Sequence, residues 1–310
     1  MKVTALAGGV GGAKLANGLA KILSPEDLGI IVNTGDDFSY LDFYICPDMD
    51  TVIYNLAGIN NPITGYGIKD DTFNVIAGLE RLGHEIWFRI GDYDIAMQIE
   101  RKRLLNESVS LSEIIAVMAT KLGVHHKVFP MCDTPVQTLI ITDQDQILTF
   151  QEYFVKFHFQ PIVKKIVFDG ALKSRLPKHA QNHLEKSDLV IICPSNPYVS
   201  IDPILSVPGI REILEQKPVF AVSPLISGKT IKGPAAKIMH ELGIEVNSVN
   251  IARHYGGLIN GIVIDTKDLN ETALINHCGI ISYATDILMP DVPAQVRLAQ
   301  QVLDLCKNYI

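Results

Sequence analysis

The 310-residue chain carries 27 lysines and arginines against 34 aspartates and glutamates, a formal net charge of −7, with 47% apolar and 20% charged residues. This length supports a large α/β core, and the acidic balance argues against a nucleic-acid binder while leaving room for a local basic pocket. No uncharged apolar run approaches the roughly 18 residues a membrane helix needs and residues 3–7 are too short for a signal sequence, so a cytoplasmic protein with no membrane or nucleic-acid partner is expected.

The chain opens with a buried strand, "VTALA", followed by "GGVGGAKL". Gly8, Gly9, Gly11 and Gly12 in a βα turn suggest backbone N–H groups that approach a phosphate at the positive end of the following helix. Neither familiar phosphate pattern fits. In a dinucleotide fingerprint begun at Gly9, Lys14 stands where the third glycine belongs, and a P-loop would need Gly-Lys-Ser/Thr. The other reading of these glycines is tight strand–helix packing alone. A helix over 12–23 and a strand over 29–33 complete a βαβ start. Asn33 occupies the strand end where a nicotinamide enzyme would place an acid.

Next comes "NTGDDFSYLDFYICPDMD", in which Asp48 or Asp50 is expected to cap a helix that runs to Ala57 and stops at Gly58. Helical spacing follows over 72–82, and "EIWFRIG" reads as a short strand. "YDIAMQIERKRLL" and, behind a Ser110/Glu113 capping box, "SEIIAVMATKLG" read as helices. "PVQTLIIT" and "QILTFQEYFVKFHF", separated by Asp143–Gln144–Asp145, read as a hairpin. From Pro161 onward "KKIVFDG", "DLVIICP", "PVFAVSP" and "GIVID" read as strands of an open parallel sheet with small or polar residues at their carboxyl ends, where ligands bind. The expected organisation is a core of residues 1–58 and 161–310, α/β with a mainly parallel sheet and helices on both faces. Residues 59–160 are expected to form an inserted, smaller α+β subdomain. Cys46, Cys132, Cys193, Cys278 and Cys306 are too scattered for a zinc or disulfide framework.

Four groups of residues carry the candidate chemistry. Asp36, Asp37, Asp48 and Asp50 crowd one loop and helix start, and such clusters often hold Mg2+ or orient a hydroxyl; solvated turns and helix caps are the alternative. In "WFRIGDYD", Arg89 precedes a turn with Asp92 and Asp94, placed to brace a phosphate or stack on a planar ligand, or else to form a surface ion pair. Ser195 and Asn196 sit in a turn fixed by two prolines. "SPLISGKTIKGPAAK" adds Lys229 and Lys232 between Gly228 and Gly233. All fall on one expected sheet edge. With no nucleophile elbow and no kinase signature set, they suit transfer of a phosphorus group by positioning, metal and cations.

"ALAGGVGGAKL", "VNTGDDF", "CPDMDTVIYNLAG", "WFRIGDYD", "LTFQEYFV", "IICPSNPYVSIDPIL", "VSPLISGKTIKGPAAK" and "ARHYGGLINGIVID" together resemble the 2-phospho-L-lactate transferase family of coenzyme F-420 biosynthesis, in order from about residue 5 to residue 265. The resemblance implies a Rossmann-like fold and a homodimer. It implies transfer of the phospholactyl group of lactyl-2-diphospho-5′-guanosine to a ribityl hydroxyl of the deazaflavin 7,8-didemethyl-8-hydroxy-5-deazariboflavin. The products are coenzyme F-420-0 and GMP, Mg2+ is required, and some relatives use an enolpyruvyl or glyceryl donor.

Within that resemblance Asp50 and Arg89 match the deazaflavin side, and the glycine loop and Ser195 turn match the guanosine diphosphate side. Asp50 would orient or deprotonate the hydroxyl, with Tyr153 or Phe154 stacked on the deazaflavin. Asp36, Asp37, Asp48, Asp50 and Asp92 are the candidate metal ligands. Lys14, Lys229 and Lys232 would share the phosphate charge. A nucleotide-sugar-binding regulator resembling the gluconeogenesis factor proteins is the competing reading, and an NAD-dependent oxidoreductase a weaker third.

Overall fold

The computed structural model describes residues 1–309. Val3–Ala7 (β1) leads into helix Gly9–Ala20 (α1), and Leu28–Val32 (β2) follows. A small ribbon of Phe38–Tyr40 (β3) and Phe43–Ile45 (β4) precedes helices Pro47–Ala57 (α2), Asn74–Arg81 (α3), Asp92–Asn106 (α4) and Leu111–Lys121 (α5). Lys127–Pro130 (β5) comes next, then Gln137–Thr142 (β6), Ile147–Thr149 (β7) and Val163–Asp169 (β8). The second half supplies Leu189–Ile192 (β9), Val219–Val222 (β10), Leu225–Ile226 (β11), Lys229–Thr230 (β12), Gly261–Asp265 (β13) and Ile281–Thr285 (β14). Its last long element is the C-terminal helix Val292–Cys306.

Seven strands form one parallel sheet in the order β14-β13-β10-β9-β1-β2-β5. Five of them are buried along their whole length, because both faces of the sheet are covered; that is why they read as unbroken apolar runs. Successive residues point to opposite faces. Leu6, Ile31, Val190 and Ile192 enter one core, whereas Ala5, Ala7, Ile30, Val32 and Ile191 enter the other. From β1 the chain works outward through β2 and β5, then returns and works the other way from β9. The order therefore reverses between β1 and β9, and an open α/β sheet places its ligand crevice beyond the carboxyl ends at such a point. This is the Rossmann-like architecture with smaller antiparallel additions.

Several expectations are corrected. The first helix begins at Gly9 and ends at Ala20, so the glycines lie within its first turns. Residues 85–91 are not a strand: Trp87 and Phe88 pack edge-on to Tyr40 and Phe38, at ring separations of 5.1 and 4.9 Å, and ring contacts replace a backbone ladder. β8 does not join the parallel sheet but pairs antiparallel with β6 in a three-stranded sheet. The segment after the hairpin turn holds only three strand residues before a π-helical turn, Glu152–Lys156. Residues 59–160 also do not lie wholly outside the core, since β5 is the edge strand beside β2. Among the described residues no helix is long and apolar enough to cross a membrane.

α1 packs closely against the C-terminal helix. A Cβ on Gly18 would fall 2.6 Å from the Gln295 carbonyl carbon, and Asn17 Nδ2 donates to Gln295 Oε1 at 2.7 Å across the same contact. Gly78 in α3 has open space where a Cβ would go. Gly18→Ala is therefore expected to cost about 1–3 kcal/mol despite alanine's helix preference, and Gly78→Ala to gain about 0.5–1 kcal/mol. Urea unfolding of the two variants checks the opposite signs.

Candidate functional site

The glycine loop follows β1 and the Pro194–Ser195 turn follows β9, so the two flank the point where strand order reverses. Side chains are missing from the loop because the neighbouring turn fills that space. A Cβ on Gly11 would run into the Pro194 carbonyl oxygen, one on Gly12 into Ser195 Oγ, and one on Gly8 would lie 2.7 Å from both Asp48 Oδ2 and Ser200 Cβ. Gly9 adopts φ +59°, a conformation glycine reaches without steric cost. Ser195 Oγ accepts from Gly8 N–H at 3.0 Å and donates to Gly8 C=O at 2.7 Å, clamping the loops together. Asn196 Oδ1 caps the next turn by accepting from Tyr198 N–H at 3.0 Å, while its buried Nδ2 has no partner among the described residues. The tight-packing reading of the glycines thus holds at Gly11 and Gly12.

The acidic segment folds over the same edge. α2 starts with Pro47 at its first turn and Cys46 before it; neither Asp48 nor Asp50 is the cap, and both lie in the first turn at the positive end of the helix. Asp48 Oδ2 accepts from Asn33 Nδ2 at 3.0 Å, and Gly9 N–H also points to this carboxylate. Burial pushes the Asp48 carboxyl up to about 6. Burial and then the Asp48 charge raise Asp36 well above the usual carboxylate range, and burial does the same to Asp37. Asp36 Oδ1 and both Asp37 oxygens are buried without a hydrogen-bond partner; Cys46 and Tyr44 lie beside Asp37 without forming a well-aligned bond.

Asp50 is held differently. Arg101, wholly buried, donates from Nη2 to Asp50 Oδ1 and from Nη1 to Oδ2 at 3.3 Å, and Gln98 Nε2 donates to Oδ2 at 3.1 Å. Arg101 is the one buried lysine or arginine among the described residues, facing a nest of four buried aspartates. Neither Arg101 nor Gln98 was singled out from the sequence. The signal existed: Asp94, Gln98 and Arg101 recur at i, i+4 and i+7, one face of α4.

The adjacent turn separates its two acids. Asp92, a candidate metal ligand, accepts from Thr72 Oγ1 at 2.6 Å, Asn74 N–H at 3.0 Å, Asn74 Nδ2 at 2.9 Å and Val75 N–H at 3.0 Å. It caps α3, and these donors, the Thr72 hydroxyl first, hold it at about 2. Asp71 returns the favour at the start of α4, accepting from Tyr93 N–H at 2.9 Å. Asp94 turns inward toward Tyr54 and Asp50, and burial raises it to about 6.

Arg89 is exposed and lies over the Phe73 ring, 5.1 Å from its centre, with no ion pair among the described residues. The surface-ion-pair reading fails. Tyr153 is wholly buried, its hydroxyl 3.4 Å from Lys237 Nζ, and offers no ring face to a ligand. Phe154 is half-buried between Phe150 and Phe159. On the basic side, Lys14 Nζ donates to the Met289 carbonyl at 2.8 Å, and its proton affinity is lowered by burial and then by Lys232. Lys232 reaches the Thr64 carbonyl, and Lys229 is exposed on the β11–β12 ribbon. The structure thus brings Lys14 and Lys232 near each other, seats the glycine loop on Ser195, and sets Asp48 against the same loop with Asp36, Asp37 and Asp50 in one nest. It leaves Asp92 and Tyr153 occupied elsewhere. Among the described residues no three or more His, Cys, Asp or Glu side chains form a metal cage.

Comparison with known proteins agrees with the sequence resemblance. A family profile described as "2-phospho-L-lactate transferase CofD" matches residues 3–288. A "2-phospho-L-lactate transferase" of Methanopyrus kandleri is 39% identical, covering 100% of this chain and 99% of the relative. Its counterpart from Methanococcus maripaludis is 35% identical over 99% and 100%. A "Phosphoenolpyruvate transferase" of Streptomyces griseus is also 35% identical, over 99% of each chain. A solved UPF0052-family protein of Bacillus halodurans, 16% identical, superposes with a TM-score of 0.62 over 97% of this chain and 98% of that one, a likeness of fold.

The raised Asp94 yields a stability prediction. Its folded value of about 6 exceeds the ordinary 3.8, so the folded chain binds this proton more tightly and loses stability as pH rises from about 4 to 6. Asp94→Asn removes that loss while keeping an acceptor for Tyr54. Urea unfolding is expected to show a gain of about 1–3 kcal/mol at pH 7.5 and none at pH 4; an equal change at both values would contradict the buried charge.

Proposed function

Because the chain belongs to the 2-phospho-L-lactate transferase family, we infer that it moves the phospholactyl group of (2S)-lactyl-2-diphospho-5′-guanosine to the ribityl hydroxyl of 7,8-didemethyl-8-hydroxy-5-deazariboflavin, giving coenzyme F-420-0 and GMP. The observation that carries this reading is the whole-chain family match, and the lysines and buried aspartates gathered around the glycine loop support it. The match also favours a transferase over a regulator that shares only the fold.

On the cationic wall, the N-terminus of α1 with Lys14 and Lys232 would bind the diphosphate, placing its charge at a helix dipole and two ammonium groups. On the acidic wall, Asp50 would accept a hydrogen bond from the ribityl hydroxyl. Arg101 and Gln98 hold both Asp50 oxygens, which supports a role for Asp50 in orienting that hydroxyl. The hydroxyl oxygen attacks the phosphorus bearing lactate, the bond to the GMP oxygen breaks, and the hydroxyl proton passes to the nest. Arg89 and Phe73, with the ring cluster of Tyr40, Trp87 and Phe88, would face the planar deazaflavin.

The residues present fit Mg2+. Asp36 Oδ1 is an orphaned buried oxygen beside Asp48 in a nest of excess negative charge, and Mg2+ is usually bound by one or two carboxylates completed by water and phosphate rather than by a full protein cage. Asp36 and Asp48 would hold it, and the bound ion would neutralise charge on the diphosphate. The homodimer, which the family resemblance implies, belongs to this reading, as does the cytoplasmic location expected from the sequence.

Incubation of the protein with Mg2+, deazaflavin and the guanylated phospholactyl donor is expected to yield phospholactyl deazaflavin and GMP by mass spectrometry. Absence of product at saturating donor overturns the reading, and a preference for the enolpyruvyl donor in direct competition reassigns the donor. Asp50→Asn should lower kcat/KM about 100-fold by disturbing the orientation of the hydroxyl. Arg89→Ala should raise the acceptor KM about tenfold with little change in kcat, and an unchanged KM returns Arg89 to the surface.

A further inference from the structure

We propose that Arg101, seated by Gln98, is a positioning residue that fixes the Asp50 carboxylate for the acceptor; the inference rests on the reading of Asp50 given above. The three side chains form a closed ring. Arg101 Nη1 and Nη2 both donate to Asp50, Gln98 Nε2 donates to Asp50 Oδ2 at 3.1 Å, and Arg101 Nη1 also donates to Gln98 Oε1. A further bond of 3.1 Å ties Nη1 to the Tyr44 carbonyl of the β3–β4 ribbon. Asp50 is thus held from one side by a planar fork, and that fork is itself held by Gln98 of the same helix and by the ribbon.

Stability gives little reason for such an arrangement. Burying a guanidinium and a carboxylate removes both from water, and their attraction in a protein interior roughly offsets that loss rather than exceeding it. Arg101 is 0% exposed and its Nε has no partner, so the pair is not even fully satisfied. The arrangement does remove rotational freedom from one carboxylate. Asp50 would otherwise repel Asp37, Asp48 and Asp94, each of which lies in the same nest or turns toward it. The fork fixes both carboxylate oxygens, and the residual exposed edge of the Asp50 side chain, 8%, is left for a ligand. A lysine cannot reproduce this, because a single ammonium has no planar fork with which to hold two oxygens and a carbonyl together.

The test measures deazaflavin affinity from its fluorescence, GDP affinity by calorimetry, and steady-state KM and kcat, on the full-length protein. Arg101→Lys is expected to weaken acceptor binding about tenfold and leave GDP affinity within about twofold. Gln98→Met, milder and close in shape, is expected to weaken the acceptor about threefold in the same selective way. The variant Arg101→Met combined with Asp50→Asn should bind acceptor no worse than Asp50→Asn alone, since Arg101 acts through Asp50.

Parallel loss of GDP and acceptor affinity in Arg101→Lys and Gln98→Met, or multiplying losses in the double variant, would show a general structural role and overturn the inference. If Asp50→Asn weakens the acceptor while Arg101→Lys and Gln98→Met do not, the inference alone fails. If Asp50→Asn itself binds acceptor normally, the reading of Asp50 fails and Arg101 has nothing to position. Should Arg101→Met not fold, Arg101→Lys and Gln98→Met decide.

Discussion

The contact on which the rest of this structure depends is the seating of the glycine loop against the Pro194–Ser195 turn. β1 and β9 are neighbours whose following segments leave the sheet in different directions. They stay in contact because Gly11 and Gly12 present no side chain to the Pro194 carbonyl and the Ser195 hydroxyl, and because that hydroxyl bonds both the N–H and the C=O of Gly8. The start of α1 is thereby fixed at the point of strand reversal. Asp48 packs against the same Gly8, so the acidic segment takes its position from this contact as well. A side chain at Gly8, Gly11 or Gly12 would push the loop away from Asp48 or from the Pro194–Ser195 turn.

Across that crevice the charges are unequal in a useful way. Four aspartates are buried against one guanidinium; burial raises Asp36, Asp37 and Asp48, neighbouring carboxylates add to it at Asp36 and Asp37, and oxygens of those two are left without partners. On the other wall Lys14 and Lys232 rest on carbonyl oxygens, a weak partnership that a diphosphate readily replaces. A transfer between a hydroxyl and a diphosphate needs both walls: acceptors for the hydroxyl and the cation, and donors for the phosphates. Nothing in this scheme calls for a covalent intermediate on the enzyme.

The parallel core was legible because strands covered on both faces leave unbroken apolar runs, as in residues 3–7 and 189–192. Pairing partners were not: β8 reads as a strand just as β9 does, and tertiary contact assigns it to the antiparallel sheet. Residues 86–88 read as a strand because aromatic and branched residues favour both strands and ring clusters. In the site, side-chain type revealed the glycine loop and the acid nest, but not which acid of a turn faces inward. Asp92 and Asp94 are two residues apart and differ only in where α4 points them, one to cap a neighbouring helix and the other into the nest. Arg101 was hidden inside "IERKRLL", a run rich in charged residues, although its spacing of three residues from Gln98 and seven from Asp94 places all three on one face of α4.

The central claim is that donor and acceptor occupy adjacent walls of one crevice at the same time. Titrating deazaflavin fluorescence in the absence and presence of saturating GDP and Mg2+ tests it most directly. The account predicts a ternary complex, with the acceptor dissociation constant changed no more than about threefold by GDP. Mutually exclusive binding, with the apparent constant rising in proportion to GDP, would contradict it.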